Sequence, residues 1–338
     1  MSKGWDFYEK ENSSHTRNFM MRLTHWPFVA MAGLIPFHAS AQTALTQEAT
    51  ESAVRTAYER LENQITADDE KAALEQWQRA WIKAGDEECP DRRAPCRVQR
   101  NLEWRYFLEG RTVDGMSPPS AIRPFFTRQT GAEDVEISAT RMKFTNPKTF
   151  AEFALNEFMD RQLQEALDRA HSVNPPSKEE QYYSSMTSEL NFVSPKLLSA
   201  RVDGDYFVGQ AHPDPWGESI NIDMSTGKIL GFDDLLDTTG AKKVFAYCHK
   251  QIGAQKMEKL DDEAGGNVTL EEISERTSDL GSWAFKNGEA LVNYGVYAFG
   301  GYGQGDRTCD IPYSVLRPLA KKTFPLPAQK LASFPRFR

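Results

Sequence analysis

Apolar residues in the first part of the chain recur at helical spacing. A first stripe, with members at i, i+4, i+7 and i+11, consists of Val54, Tyr58, Leu61 and Ile65. A second stripe consists of Leu74, Trp77, Trp81 and Ala84, and a third follows Pro95 with Val98, Leu102 and Tyr106. Amphipathic helices joined by a short turn pack in antiparallel fashion. The pattern predicts a small helical hairpin or three-helix unit over residues 48–112.

The later part of the chain contains strand patterns, most clearly over residues 206–236. This stretch predicts a strand, then an irregular loop in which Pro213 and Pro215 interrupt hydrogen bonding. Next comes a strand in which Ile220 and Ile222 alternate with polar residues. A tight turn, a further strand and a helix start complete the stretch.

Two further signals define the rest of this domain. A capping box at Thr149-Phe150-Ala151-Glu152 predicts a helix that ends near Arg169. The pair Asn287-Gly288 is the strongest two-residue signal for a β-hairpin turn. The sequence therefore predicts an α+β fold, in which a larger C-terminal domain over residues 131–322 has an antiparallel sheet packed by helices. The proline-rich segment 113–130 is predicted to be a linker.

The first 41 residues are expected to lie outside the fold, because they end in a signal-peptide pattern. Met20-Met21-Arg22 provides a basic start, the run from Trp26 to Phe37 is apolar, and Ala39-Ser40-Ala41 precedes Gln42. We expect translation to start at Met20 or Met21. The apolar run is too short to span a bilayer, and the alternative is an N-terminal membrane anchor. A cleaved signal implies a periplasmic or secreted protein with no membrane span after cleavage.

Composition is that of a globular protein, with 40% hydrophobic and 26% charged residues. The formal net charge is −8, which argues against nucleic-acid binding because that function normally needs a basic surface. An acidic protein is suited to a strongly basic protein partner.

Four cysteines in an exported chain predict two disulfides. Cys89 and Cys96 lie close together in one polar loop and should pair, which leaves Cys248 to pair with Cys309. A zinc site is the competing interpretation, but the spacing does not match a zinc motif and few histidines follow the signal segment.

Catalytic signatures are missing from the sequence. It contains no nucleophile elbow, phosphate-binding loop, dinucleotide fingerprint or metalloprotease motif. We therefore predict no enzymatic activity, no cofactor and no metal ligands. His212 is expected to fix its loop by hydrogen bonding, and the pair Asp233/Asp234 to cap a helix.

The helical unit resembles the LprI-type lysozyme-inhibitor domain of exported bacterial proteins. The matching residues are Tyr58, Leu61, Leu74, Gln78, Arg79, Trp81, Ile82, Asp86 and Cys89. Trp77 and Trp81 are expected in the helical core. Gln78 and Arg79 are expected to face outward and are candidates for partner contact.

The C-terminal domain resembles the domain that ends the lysozyme-sensing anti-sigma factor RsiV and that precedes the catalytic part of the deacetylase PdaC. The matching motifs are Gly209-x-Ala211-His212-Pro213, Asp223-x-x-Thr226-Gly227-Lys228, Asp234-Leu235-Leu236, Trp283-x-Phe285, Tyr297, Gly300 and Ile311-Pro312-Tyr313. The resemblance covers residues 180–320 well.

Both resemblances imply a non-enzymatic exported protein that binds a lysozyme-type muramidase. The loops Ala211–Glu218 and Tyr297–Arg307 are the expected contact regions, with His212, Asp214, Trp216, Tyr297, Tyr302 and Arg307 as candidate residues. Arg307 could pair with a carboxylate of the enzyme. The alternative is a peptidoglycan-binding cell-wall module that uses Trp216, Tyr297 and Tyr302 as sugar platforms. A hydrolase or deacetylase would need a reactive site that the sequence does not show.

Overall fold

A computed structural model describes residues 46–89, 94–130, 135–171, 182–207, 209, 211–254, 268–299 and 305–328. The predicted signal segment 1–41 lies outside these residues. The chain has an α+β fold, as predicted, with a helical unit, a five-stranded sheet and a three-stranded sheet. In the described part of the chain, no helix is both long and apolar enough to cross a membrane.

The helical unit consists of α1 (Gln47–Gln64), α2 (Asp68–Glu88) and α3 (Ala94–Leu108). The unit has the three helices of the prediction, but α1 packs mainly against α3, so the expectation that the first two helices pair as an antiparallel hairpin is wrong. A buried hydrogen bond from Asn101 Nδ2 to Thr50 Oγ1, 3.0 Å long, joins these two helices. The first two predicted stripes supply much of the core of the unit, which contains Val54, Leu61, Ile65 and Leu74. The third predicted stripe is wrong apart from Val98, because Leu102 and Tyr106 are only partly buried and α3 instead buries Val98, Asn101, Trp104 and Leu108.

The larger sheet has the order β1-β2-β3-β4-β5. Its strands are β1 (Ile122–Thr130), β2 (Glu136–Phe144), β3 (Tyr183–Val193), β4 (Leu197–Phe207) and β5 (Asp214–Asp223). All neighbours are antiparallel except β2 and β3, which are parallel. Parallel neighbours need a crossover, and α4 (Phe150–His171) provides it and packs its apolar face on the sheet.

The prediction of a linker over 113–130 is wrong for its second half, which forms the edge strand β1. Proline is tolerated there because an edge strand need not donate every backbone N–H to a neighbour, and Pro124 lies opposite Met142 of β2. Arg123 of β1 forms an ion pair of 2.6 Å with Glu70 of α2. This strand therefore connects the helical unit to the sheet.

The smaller sheet consists of β6 (Trp283–Phe285), β7 (Glu289–Tyr294) and β8 (Arg307–Pro312), all antiparallel. The hairpin predicted at Asn287-Gly288 joins β6 to β7. Helices α5 (Phe232–Leu235), α6 (Thr238–Ala254), α7 (Leu270–Thr277) and α8 (Tyr313–Leu316) accompany this sheet. The strand predicted after the 224–227 turn is reduced to a single bridge between Ile222 and Ile229.

Buried hydrogen bonds hold the two sheets together. Asn221 of β5 donates from Nδ2 to the carbonyl oxygens of Leu280, at 3.1 Å, and Trp283, at 2.9 Å. The backbone N–H of Phe285 donates to Ser199 Oγ of β4 at 3.0 Å. The small sheet is thereby fixed over the end of β4 and β5 that carries Ser199 and Asn221.

Both predicted disulfides are present, Cys89–Cys96 and Cys248–Cys309. The second joins α6 to β8 inside the core of the smaller sheet, where both cysteines are fully buried. Since all four cysteines are oxidised, the zinc interpretation is excluded.

The two disulfides should differ in their contribution to stability. Cys248 and Cys309 are 61 residues apart and Cys89 and Cys96 are 7 apart. Loop-closure entropy therefore predicts losses of about 4 and about 2.5 kcal/mol when the respective pairs are replaced by alanine. Urea denaturation of Cys248→Ala/Cys309→Ala and Cys89→Ala/Cys96→Ala measures both losses. Equal losses, or a larger loss for the short loop, would contradict the expectation.

Candidate functional site

Two of the predicted contact segments meet at one end of the larger sheet. The hydroxyl of Tyr297, in the segment between β7 and β8, lies 2.9 Å from Nδ1 and 3.0 Å from Nε2 of His212, in the β4–β5 loop. The two rings are 5.7 Å apart between centroids. His212 Nδ1 also lies 3.3 Å from the carbonyl oxygen of Pro213. These contacts agree with the prediction that His212 fixes its loop.

Tyr297 holds a backbone conformation that side chains rarely adopt. Its φ is +68°, and it is the one residue other than glycine with positive φ in the described part of the chain. Its side chain is nevertheless 46% exposed. A strained, exposed aromatic residue on a connecting segment is a candidate for partner contact, because backbone strain concentrates at functional sites.

The face of β3–β5 that points away from α4 is polar next to these loops. Strand register places its residues in three rows across the sheet, which are Glu189, Arg201 and Ser219; Thr187, Asp203 and Gly217; and Ser185, Asp205 and Pro215. Asp306, just before β8, lies close enough to repel Asp203 and Asp205 electrostatically. We name Glu189, Asp203, Asp205 and Asp306 the acidic strip.

Asp203 is paired within this strip. Arg201 Nη2 lies 2.6 Å from Asp203 Oδ1, and Arg201 Nε donates to the same oxygen at 2.8 Å. The ion pair lies directly over Gly217, where a Cβ atom would clash with both side chains. Glycine at 217 therefore leaves room for a charged pair on the sheet surface.

Asp205 is not matched by a cation in the same way. Partial burial, together with repulsion from Asp203, Asp306 and Asp214, raises the pKa of its carboxyl group. Asp306 has a raised pKa for similar reasons, mainly burial and then repulsion from Asp203, while Arg201 and the backbone N–H of Val296 favour its ionised form. The strip therefore carries negative charge that its own residues do not fully compensate.

Glu189 lies within electrostatic range of charged residues in the other structural units. Burial raises the pKa of its carboxyl group, and Lys286 in the β6–β7 turn is the main opposing influence. Asp114, in the segment after α3, adds repulsion. Glu103 of α3 has a raised pKa, chiefly from burial, with repulsion from Glu189 as a lesser cause. The strip is therefore bordered by the helical unit on one side and the smaller sheet on the other.

Two further predicted contact residues, Asp214 and Trp216, have neighbours different from those of the acidic strip. The predicted loop Ala211–Glu218 is shorter than expected, because β5 begins at Asp214. The carboxylate of Asp214 accepts a hydrogen bond from Tyr206, which raises the pKa of that tyrosine. Trp216 lies over Gly204, with the Arg169 guanidinium 4.6 Å from its ring centroid. It therefore packs between neighbours and is only partly exposed.

Arg307 begins β8 and its guanidinium is 6.0 Å from the ring centroid of Phe299. Arg276 of α7 lies 5.8 Å from the same ring. Phe299 in turn packs on Tyr294 of β7, at 5.0 Å between centroids. These contacts support the segment that carries Tyr297. Tyr302 lies outside the described residues.

The two candidates on α2 have different environments. Gln78 was expected to face outward, and that expectation is wrong, because the residue is 92% buried and accepts a 2.7 Å hydrogen bond from Trp104 Nε1. A buried indole N–H needs an acceptor, and Gln78 supplies it. Arg79 is exposed, and forms a surface ion pair of 2.6 Å with Glu75.

The geometry of the site suits binding of a cationic surface. In the described part of the chain, no group of three His, Cys, Asp or Glu side chains is arranged to hold a metal ion. The acidic strip was missed in the sequence, although the alternation Arg201-Val202-Asp203-Gly204-Asp205 was a visible signal for a strand with one charged face.

Comparison with known proteins gives a resemblance in fold only. No protein-family model matches the sequence, and no curated protein matches it. Among solved structures, the chain is similar to a member of the DUF3298 family from Bacteroides fragilis, with a TM-score of 0.43 and 14% identity over 61% of this chain and 96% of that chain. It is also similar to a DUF3298 family protein from Pseudomonas aeruginosa, with a TM-score of 0.41 and 16% identity over 62% of this chain and 98% of that chain. Similarity at this level supports no inference about function.

Proposed function

We propose that this chain is an exported, non-enzymatic protein that binds a lysozyme-type muramidase through the acidic strip and the adjoining His212–Tyr297 loops. The observation that carries the proposal is the position of the strip beside these two loops. The two resemblances in the sequence favour the same partner. The two disulfides support an oxidising, exported environment.

The charge of the strip suits this partner. Many lysozymes are strongly basic, so opposite potentials would steer the two proteins together and raise the association rate. A lysine or arginine side chain of the partner would also relieve the repulsion around Asp205, since it places a cation among carboxylates. Binding should therefore weaken as the salt concentration rises.

The second candidate function, binding of peptidoglycan, has less structural support. Stacking on a sugar needs an aromatic face open to solvent, and Trp216 lies between Gly204 and Arg169. Tyr297 retains an exposed ring. Sedimentation with insoluble peptidoglycan separates the two functions, because muramidase binding predicts that the protein stays in solution.

Removal of two strip charges should weaken muramidase binding. We expect Asp205→Asn/Asp306→Asn to lower the affinity for a basic lysozyme roughly tenfold at low salt, mainly through a slower association rate. Surface plasmon resonance at two salt concentrations measures the effect, and a lysis assay in parallel shows whether binding inhibits the enzyme.

A matched control is Glu59→Gln/Glu87→Gln, which removes the same charge from exposed positions of α1 and α2. This variant should bind as the unmodified protein does. The absence of any binding at low salt, or an equal loss in both variants, would refute a specific role for the strip.

Charge at the strip should lower the stability of the free protein. The pKa of Asp205 is higher in the folded than in the unfolded state, so stability falls as the pH rises through the folded-state value. Asp205→Asn should therefore raise the free energy of unfolding at neutral pH by a few tenths of a kcal/mol, since solvent screens part of the repulsion. The gain should vanish below the unfolded-state pKa, about 3.9. Urea denaturation across this pH range measures it, and a loss of stability at neutral pH would show that Asp205 is favourably placed.

A further inference from the structure

Three large apolar side chains project into solvent at the end of the larger sheet opposite the His212–Tyr297 loops. Phe150 is 84% exposed, and Phe153 and Ile229 are each 53% exposed. The first two lie three positions apart at the start of α4, and Ile229 follows the turn after β5. The two segments are in contact, because a Cβ atom on Gly227 would clash with Phe150. We name Phe150, Phe153 and Ile229 the apolar tip.

Buried hydrogen bonds hold the apolar tip in place. The carboxylate of Glu152, which is 96% buried, accepts hydrogen bonds from Ser120 Oγ at 2.6 Å and from the backbone N–H groups of Lys148, at 2.5 Å, and Thr149, at 3.2 Å. Gly227 has a φ of +77°, which glycine adopts without strain and which closes the turn against α4. The first turn of α4 is therefore held in a fixed position, and Phe150 and Phe153 are exposed in that position.

Three exposed lysines lie on the segments that carry or adjoin the tip. Lys148 lies two residues before Phe150, and Lys228 directly precedes Ile229, where it pairs with Asp234 at 2.5 Å. Lys196 lies in the β3–β4 turn. Its carbonyl oxygen accepts a 2.9 Å hydrogen bond from the backbone N–H of Met224, which holds this turn beside the segment that follows β5. The β2–α4, β3–β4 and β5–α5 connections all leave the sheet at this end.

We propose that the apolar tip and its lysines bind the surface of an anionic lipid bilayer. Exposed phenylalanine and isoleucine side chains gain free energy when they enter the boundary between headgroups and acyl chains. Lysines beside them are attracted to anionic headgroups at the same depth. The tip is formed by connections that project from the end of a sheet, and this shape fits a flat surface better than it fits a peptide or helix, which would need a groove.

Membrane contact at the tip leaves the acidic strip accessible. The tip lies beside the first residues of β4 and the His212–Tyr297 loops lie beyond its last residues. An extended strand of this length spans about 33 Å. A bilayer bound at one end would therefore hold the acidic strip and loops away from the anionic headgroups, which would repel them.

Vesicle co-sedimentation tests the proposal with the chain from Gln42 onward, which contains every residue of the described fold. The protein should sediment with vesicles of mixed phosphatidylcholine and phosphatidylglycerol, and much less with phosphatidylcholine alone. The variant Phe150→Ser/Phe153→Ser should partition at least about tenfold less. Lys148→Glu/Lys196→Glu should lose the preference for the anionic vesicles.

Matched controls exist elsewhere on the chain. Leu270, 49% exposed on α7, gives the apolar control Leu270→Ser, and the exposed pair on α6 gives Lys242→Glu/Lys243→Glu. Both should sediment as the unmodified protein does, and circular dichroism checks that each variant is folded. The proposal is overturned if the unmodified protein stays in solution, or if the tip variants bind as well as the controls. Self-association that the phenylalanine variant abolishes, measured by analytical ultracentrifugation without lipid, would assign the tip to a second copy of the chain instead.

Discussion

The free energy required to remove charged side chains from water determines how the two sheets are layered. The small sheet covers β4 where its outward residue is Ser199, whose hydroxyl accepts a hydrogen bond from Phe285. Farther along the same face of β4, the outward residues are no longer small and uncharged like Ser199. They are Arg201, Asp203 and Asp205, which carry charge. An apolar layer over the Asp203 carboxylate, which is 49% exposed, would carry a penalty of several kcal/mol, so the second layer ends there. The limit of the smaller sheet therefore leaves charged side chains partly accessible beside the His212–Tyr297 loops.

Under the proposed function, the same charges place partner binding and stability in opposition. Partial burial, and then repulsion from neighbouring carboxylates, raises the pKa of Asp205, so the free protein would be more stable without that charge at neutral pH. Tyr297 likewise combines positive φ with solvent exposure. Unfavourable local features concentrated in one region are expected where a protein is adapted to bind another molecule. Stable cores on the α4 side of the sheet and around Cys248–Cys309 support this region from two directions.

Local sequence signals predicted the elements that form through local spacing. They failed where contacts between residues far apart in sequence determine the structure. The α1 stripe, the capping box at Thr149 and the Asn287-Gly288 hairpin were all readable, because each is set within a few residues. Gln78 lies on the outer side of the α2 stripe, yet Trp104, 26 positions away, covers it and needs its oxygen. Strand β1 was hidden by prolines that an edge strand tolerates. The acidic strip depends on strand register and on Asp306, which lies about a hundred positions beyond Asp205 in sequence but within electrostatic range of it.

Hydrogen–deuterium exchange of the chain from Gln42, alone and with a basic lysozyme at low salt, tests the central claim most directly. We expect added protection in the peptides that carry Asp203, Asp205, His212 and Tyr297, since a bound partner excludes solvent from their backbone. Protection confined to α1–α3, or no change at a lysozyme concentration that saturates binding, would contradict a partner site on the acidic strip.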